Sequence, residues 1–237
     1  MAGAMNGARV FVAGSHTDVG KTHVACGLIR AARASGFSVE ALKPIASGFD
    51  GADWADSDPG RLLDALGRPL TDDELHRMTP WRFAAPLAPP MAAKLEGQAL
   101  PLAPIVDVCA ARLAATTADL FVLEGVGGLM SPLADGATGL DLMTALTLPV
   151  LLVGGGYLGA ISHTLTALEV LRMRDQTVAA VVVSQDAQAD APDFAQTLAL
   201  VATHASGVPV LGAPRSGSDD WAADLLALIG VQPGESA

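Results

Sequence analysis

Basic residues are scarce in this chain. Its 237 residues include 14 Lys and Arg against 25 Asp and Glu, a formal net charge of −11. That balance works against non-specific contact with nucleic acid or an anionic membrane, while leaving room for a local basic site. Cysteine is nearly absent. Cys26 and Cys109 both fall in helical patterns; they supply no disulfide framework and read as small buried hydrophobes. Long apolar runs are missing too. None reaches the ~18–20 residues of a membrane span, and the N-terminal MAGAMNGARVFVAG holds no signal-type apolar core. The expectation is a soluble cytoplasmic protein with no nucleic-acid or membrane partner.

What is abundant is small and aliphatic. Hydrophobic residues make up 51% of the chain, charged ones 16% and aromatics 4%. Much of the apolar share is Ala, Leu and Val, enough for a large core and contrary to general disorder.

Short apolar runs alternate with helical patterns. Strands are predicted at residues 9–13, 37–43, 119–124, 149–156, 177–185 and 208–212. Helices are predicted at 21–35, 104–116, 161–173, 192–203 and 219–228. Most of the strand runs are continuously apolar, as parallel strands covered on both faces are. The expected fold is a single α/β domain over residues 1–237: a doubly wound, mostly parallel sheet with helices on both faces, of the P-loop NTPase type. Ligands of such sheets gather at the carboxyl ends of the strands. Residues 49–60, rich in Gly and Asp, read as a mobile loop; 79–90, with several prolines, as an irregular crossover; the tail after Gly230 as frayed.

The stretch GSHTDVGKT, residues 14–22, follows a predicted strand and opens a predicted helix. It fits G-x5-G-K-T, one residue longer than the usual phosphate loop. Backbone N–H groups of Asp18, Val19 and Gly20, and of Lys21, Thr22 and His23 in the first helical turn, are expected to face an anion. Lys21 reaches the β- and γ-phosphates of ATP, and the Thr22 hydroxyl is a candidate Mg2+ ligand. Partitioning-type ATPases carry a second lysine early in this loop; here Ser15 and His16 occupy that place. His16 reads as a loop residue contacting backbone or solvent.

In the same order come LKPIASG (42–48), DSD (56–58), LEGVGGLMSPL (123–133), GYLGAISH (156–163) and VLGAP (210–214). Together with the loop, these motifs resemble the dethiobiotin synthetases across nearly the whole chain. The resemblance implies a Mg2+- and ATP-dependent cyclo-ligase of biotin biosynthesis. Its substrates are 7,8-diaminononanoate and CO2. A carbamate forms on one amine, is phosphorylated to a carbamic–phosphoric anhydride, and closes to the cyclic urea with release of ADP and phosphate. It also implies a homodimer with substrate near the interface.

The resemblance assigns residues as well. Lys43 and Lys21 are catalytic, with Thr17 beside them. Thr17, Lys43, Ser47, Leu158 and Gly159 contact substrate. Thr22, Asp58 and Glu124 hold the metal, with Asp53 and Asp56 as competitors for the Asp58 role. Glu124, Gly125, Val126 and Gly127 border the nucleotide, and Gln185, Asp186, Pro214 and Arg215 lie at the base. The chemistry is coherent: an anionic carbamate must approach a γ-phosphate, and cations must offset the repulsion.

Two positions depart from the family pattern. Gln185 stands where many members have an adenine-reading Asn, and Ser162 where they have an Asn near the substrate carboxylate. Arg215 has the alternative of pairing with Asp219 or Asp220. His163 reads as a structural residue at a helix start. A second reading, a P-loop amide synthase, needs an ammonia-supplying domain, and roughly 25 residues after Gly212 do not provide one. A third, a nucleotide switch, leaves KPIASG without a role and lacks a terminal amphipathic membrane helix.

Overall fold

The computed structural model describes residues 7–188 and 190–231. The extreme N-terminus and residues 232–237, which include most of the expected frayed tail, lie outside them.

In chain order the elements are β1 (Ala8–Gly14), α1 (Lys21–Ala34), β2 (Val39–Leu42), β3 (Ile45–Ser47), α2 (Asp58–Ala65), α3 (Asp72–Met78) and β4 (Trp81–Phe83). Next come α4 (Pro89–Leu95), α5 (Leu102–Ala115), β5 (Leu120–Glu124), β6 (Pro132–Ala134), β7 (Ala137–Thr138) and α6 (Gly139–Leu146). The chain continues through β8 (Val150–Gly154), α7 (Ala160–Met173), β9 (Val178–Ser184), α8 (Phe194–His204), β10 (Val210–Ala213) and α9 (Trp221–Leu228).

Six strands form one sheet in the order β10-β9-β8-β1-β5-β2. Every pairing in it is parallel. The continuous apolar runs have the predicted cause: side chains alternate between two cores. Phe11 and Ala13 of β1 join Phe121, Leu123, Leu152 and Val183 on one face. Val10 and Val12 join Val122, Leu151, Val153 and Val182 on the other, beneath Val24, Leu28 and Ile29 of α1. Cys26 and Cys109 are buried and unpaired, and burial pushes each thiol up to about 12.

The strand order reverses at β1. The chain leaves it for β2 on one side and later returns to β8 on the other. The crevice above such a switch point is where open α/β sheets take ligands.

Several elements differ from expectation. Residues 49–60 are not wholly a loop, because Asp58 begins α2. Ser57 caps that helix by accepting from the Gly60 N–H at 3.4 Å, and Pro59 sits in its first turn. The 79–90 crossover contains β4, which pairs with β3, and the start of α4. Helix α6 is capped reciprocally: the Asp141 carboxylate accepts from the Thr138 N–H and hydroxyl, each at 2.7 Å.

Candidate active site

The phosphate loop joins β1 to α1 at the switch point. Gly20 ends it in the left-handed region, at φ 98°, and caps α1 without a side chain. No acidic residue lies in the first turn of α1. The first N–H groups of the helix have no side-chain cap, the arrangement that anion-binding helix starts share. Gly20 has a steric reason as well: a Cβ there would overlap Ser184 Oγ. Lys21 and Thr22 are buried at the base of the loop. Burial, then the nearby Lys43 charge, lower the Lys21 pKa.

Strand register assembles the charged centre. Leu42 of β2 pairs with Leu123 of β5, so Lys43 follows level with Glu124. Glu124 pairs in turn with Val12, two residues before the loop begins. Lys43 Nζ donates to Glu124 Oε1 and to Asp58 Oδ2, both at 2.6 Å. Thr22 Oγ1 donates to the same Glu124 oxygen at 2.7 Å. Lys43 is 2% exposed and Glu124 1%, whereas the Asp58 side chain is half exposed. Burial opposes the Lys43 charge, but Glu124 and Asp58 outweigh it and its pKa is raised. Burial likewise opposes the Asp58 carboxylate, and Lys43 and Thr22 reverse the effect and lower its pKa.

Glu124 Oε2 is buried without a hydrogen-bond partner. That oxygen, Asp58 and the Thr22 hydroxyl form an all-oxygen set suited to Mg2+. No cluster of three His, Cys, Asp or Glu able to hold a metal occurs among the described residues. Asp58, rather than Asp53 or Asp56, is the aspartate bonded into this centre; the other two are exposed.

Ser47, at the end of β3, lines a cavity of about 300 Å3 with Phe49, Asp56, Asp58 and Arg61. Thr17 Oγ1 lies 3.8 Å from the point a Cβ on Gly127 would occupy. The turn Gly125, Val126, Gly127 closes on the loop: the Gly125 N–H donates to Val12 O at 3.0 Å and the Leu129 N–H to Gly14 O at 2.8 Å.

Leu158 and Gly159 are not brought to this centre. They line a separate groove of about 640 Å3 with Ile161 and Ser162, which shares no residue with the Ser47 cavity. Leu158 is 90% exposed. Tyr157, missed in the sequence, lines the same groove and connects both histidines. Its hydroxyl shares a 2.7 Å hydrogen bond with His163 Nδ1, and the His163 ring stacks on His16 at 5.5 Å. His16 Nδ1 donates to Thr17 O at 2.9 Å, the backbone contact expected of it.

At the base side, Ser184 pairs with Ala213, which sets Gln185 beside Pro214. His23 Nε2 donates to Pro214 O at 3.0 Å. Burial, then the Arg215 charge, lower the His23 pKa. Arg215 does not pair with Asp219 or Asp220. Asp219 is held by Arg30 at 2.7 Å and Asp220 accepts from Ser218 Oγ at 2.5 Å, while Arg215 bonds to Gln185. Asp186 lies next along the loop and its N–H approaches Gly156.

A family profile described as an AAA domain matches residues 8–214. The chain is 61% identical over 224 residues to the ATP-dependent dethiobiotin synthetase BioD of Phenylobacterium zucineum, covering 94% of this chain and 96% of that one. The chain belongs to the dethiobiotin synthetase family. A second member, the synthetase of Caulobacter vibrioides strain NA1000, is 52% identical over 220 residues, 93% of this chain and 98% of its own. The fold extends beyond the synthetases. The signal recognition particle 54 kDa protein of Aeropyrum pernix superposes with a TM-score of 0.52 at 15% identity, over 95% of this chain and 46% of that chain.

Proposed function

We propose that this chain is a dethiobiotin synthetase, an ATP-dependent ligase of biotin biosynthesis. It joins 7,8-diaminononanoate and CO2 with cleavage of ATP to ADP and phosphate. The observation that carries this reading is Lys43: a buried ammonium held at the carboxyl ends of β2 and β5, beside a phosphate loop.

Each residue has a physical task. The first turn of α1 and Lys21 hold the β- and γ-phosphates. Thr22, Asp58 and Glu124 would hold Mg2+, which when bound offsets phosphate charge. Lys43 faces the carbamate and reduces its repulsion from the γ-phosphoryl group. Thr17 and Ser47 orient the carbamate and the diamine. A carbamate oxygen then attacks the γ-phosphorus and ADP leaves. The second amine attacks the carbamoyl carbon, phosphate departs, and the amine proton passes to an oxygen base. No protein nucleophile is required, because positioning and charge neutralisation dominate such transfers.

The chain is proposed to act as a single domain in a cytoplasmic homodimer, with Leu158 and Gly159 at the start of α7 completing a substrate site near the interface. Their groove lies apart from the Ser47 cavity, and Leu158 stands almost fully exposed.

Phosphate release from ATP and Mg2+, with and without diaminononanoate and bicarbonate, tests the reading, with mass detection of product. Diamine-dependent release together with dethiobiotin is expected. Release indifferent to the diamine overturns it.

A further inference from the structure

Gln185 clasps Arg215 twice. Its Oε1 accepts the backbone N–H of Arg215 at 3.0 Å, and its backbone carbonyl accepts Arg215 Nε at 3.0 Å. One residue thus fixes both the main chain and the guanidinium of Arg215. The side-chain bond uses one of the two lone pairs of the amide oxygen.

The guanidinium so held lies over the start of α1. An atom at the Cβ position of Gly20 would be 2.8 Å from an Arg215 η nitrogen. The same point is bordered by the hydroxyl of Ser184, a residue 1% exposed whose Oγ has no hydrogen-bond partner. Arg215 makes no ion pair among the described residues. The other cations here are differently placed: Lys43 is bonded to two carboxylates and Lys21 is buried beneath the loop.

We propose that Arg215 is a phosphate-binding residue, positioned by Gln185 over the N-terminus of α1 with Ser184 as a second donor. A phosphate contact of this kind adds affinity for a nucleoside triphosphate whatever its base. The inference rests on the ligase reading only for the identity of the site. A guanidinium suits phosphate through its planar array of N–H donors, and the helix N-terminus beneath it favours the same charge.

Calorimetric titration of wild type, Arg215→Gln, Arg215→Lys and Gln185→Ala with Mg2+-ATP and Mg2+-CTP tests it. Arg215→Gln should weaken both by a similar factor of about tenfold, and Arg215→Lys should recover part of the loss. Gln185→Ala should give a smaller, equally base-independent loss. Unchanged melting of the nucleotide-free variants separates binding from folding. A loss confined to ATP, from either position, overturns the proposal, as does unaltered binding in Arg215→Gln. Dethiobiotin formation by wild type is measured separately. Its absence beside the expected binding pattern rejects the ligase reading and leaves the Arg215 assignment standing.

Discussion

Lys43 Nζ and Glu124 Oε1 lie 2.6 Å apart, with residue exposures of 2% and 1%. Neither charge has water enough to stand alone. Removing one partner of such a pair exposes the other to the full cost of burial, about 3–5 kcal/mol. Lys43→Met should therefore lower stability by that order and cut turnover by ~10^2-fold or more, while nucleotide affinity changes little. Chemical denaturation, steady-state rates and ATP titration read the three effects. Lys43→Met with Glu124→Gln should regain stability without activity. Normal turnover in Lys43→Met removes the catalytic role.

Gly20 carries the second prediction. Gly20→Ala must hold a left-handed φ, at about 1–2 kcal/mol, and must push Ser184 aside. Nucleotide affinity should drop by at least about tenfold, with a smaller loss of melting temperature. Wild-type affinity in the alanine variant would mean that the loop tolerates a side chain at the helix start.

The α6 cap gives a pH dependence. The Thr138 N–H, then its hydroxyl, lower the Asp141 pKa. A carboxylate with a depressed folded pKa contributes stability above its unfolded value near 3.9, and that contribution is lost as pH falls through the folded value. Asp141→Asn should flatten this part of the acid limb, between about pH 4 and the lower folded pKa, and leave its slope above pH 5 unchanged. At neutral pH the cost should be small, because the amide oxygen that replaces the carboxylate in this variant can still accept from the Thr138 N–H. Urea unfolding at stepped pH measures both; an unchanged acid limb contradicts the assignment.

Cys26 and Cys109, with thiols pushed up to about 12, should resist a thiol-specific disulfide reagent at pH 8 in the folded chain. Both should react promptly in denaturant. Rapid labelling of either without denaturant contradicts its burial.

The sheet was legible because it needed only local signals. Buried parallel strands show as apolar runs, and Gly14, Gly20, Lys21 and Thr22 announce the turn between the first strand and helix. Shorter helices were not read, although their caps were present. Ser57 and Pro59 open α2, Thr71 caps α3, and Thr138 with Asp141 opens α6. Each helix has only seven or eight residues, too few for apolar periodicity to stand out. Lys43, Asp58 and Glu124 could be chosen by motif, but their mutual bonds depend on register between β2, β5 and β1. The Gln185–Arg215 clasp joins residues 30 apart through the β9–β10 pairing, and no spacing rule announces it.

Helices α2, α3 and α8 of this chain carry their own N-terminal acceptors, Ser57, Thr71 and Asp193, whereas α4, α5, α7 and α9 share with α1 the lack of one. Helix α1 has only Gly20 in that place, with no side-chain cap and no acidic residue in its first turn. A phosphate of the nucleotide does there what a serine or aspartate does elsewhere. A bound nucleotide would in this sense be a detachable part of the secondary structure, and the stability of the fold should rise with its concentration.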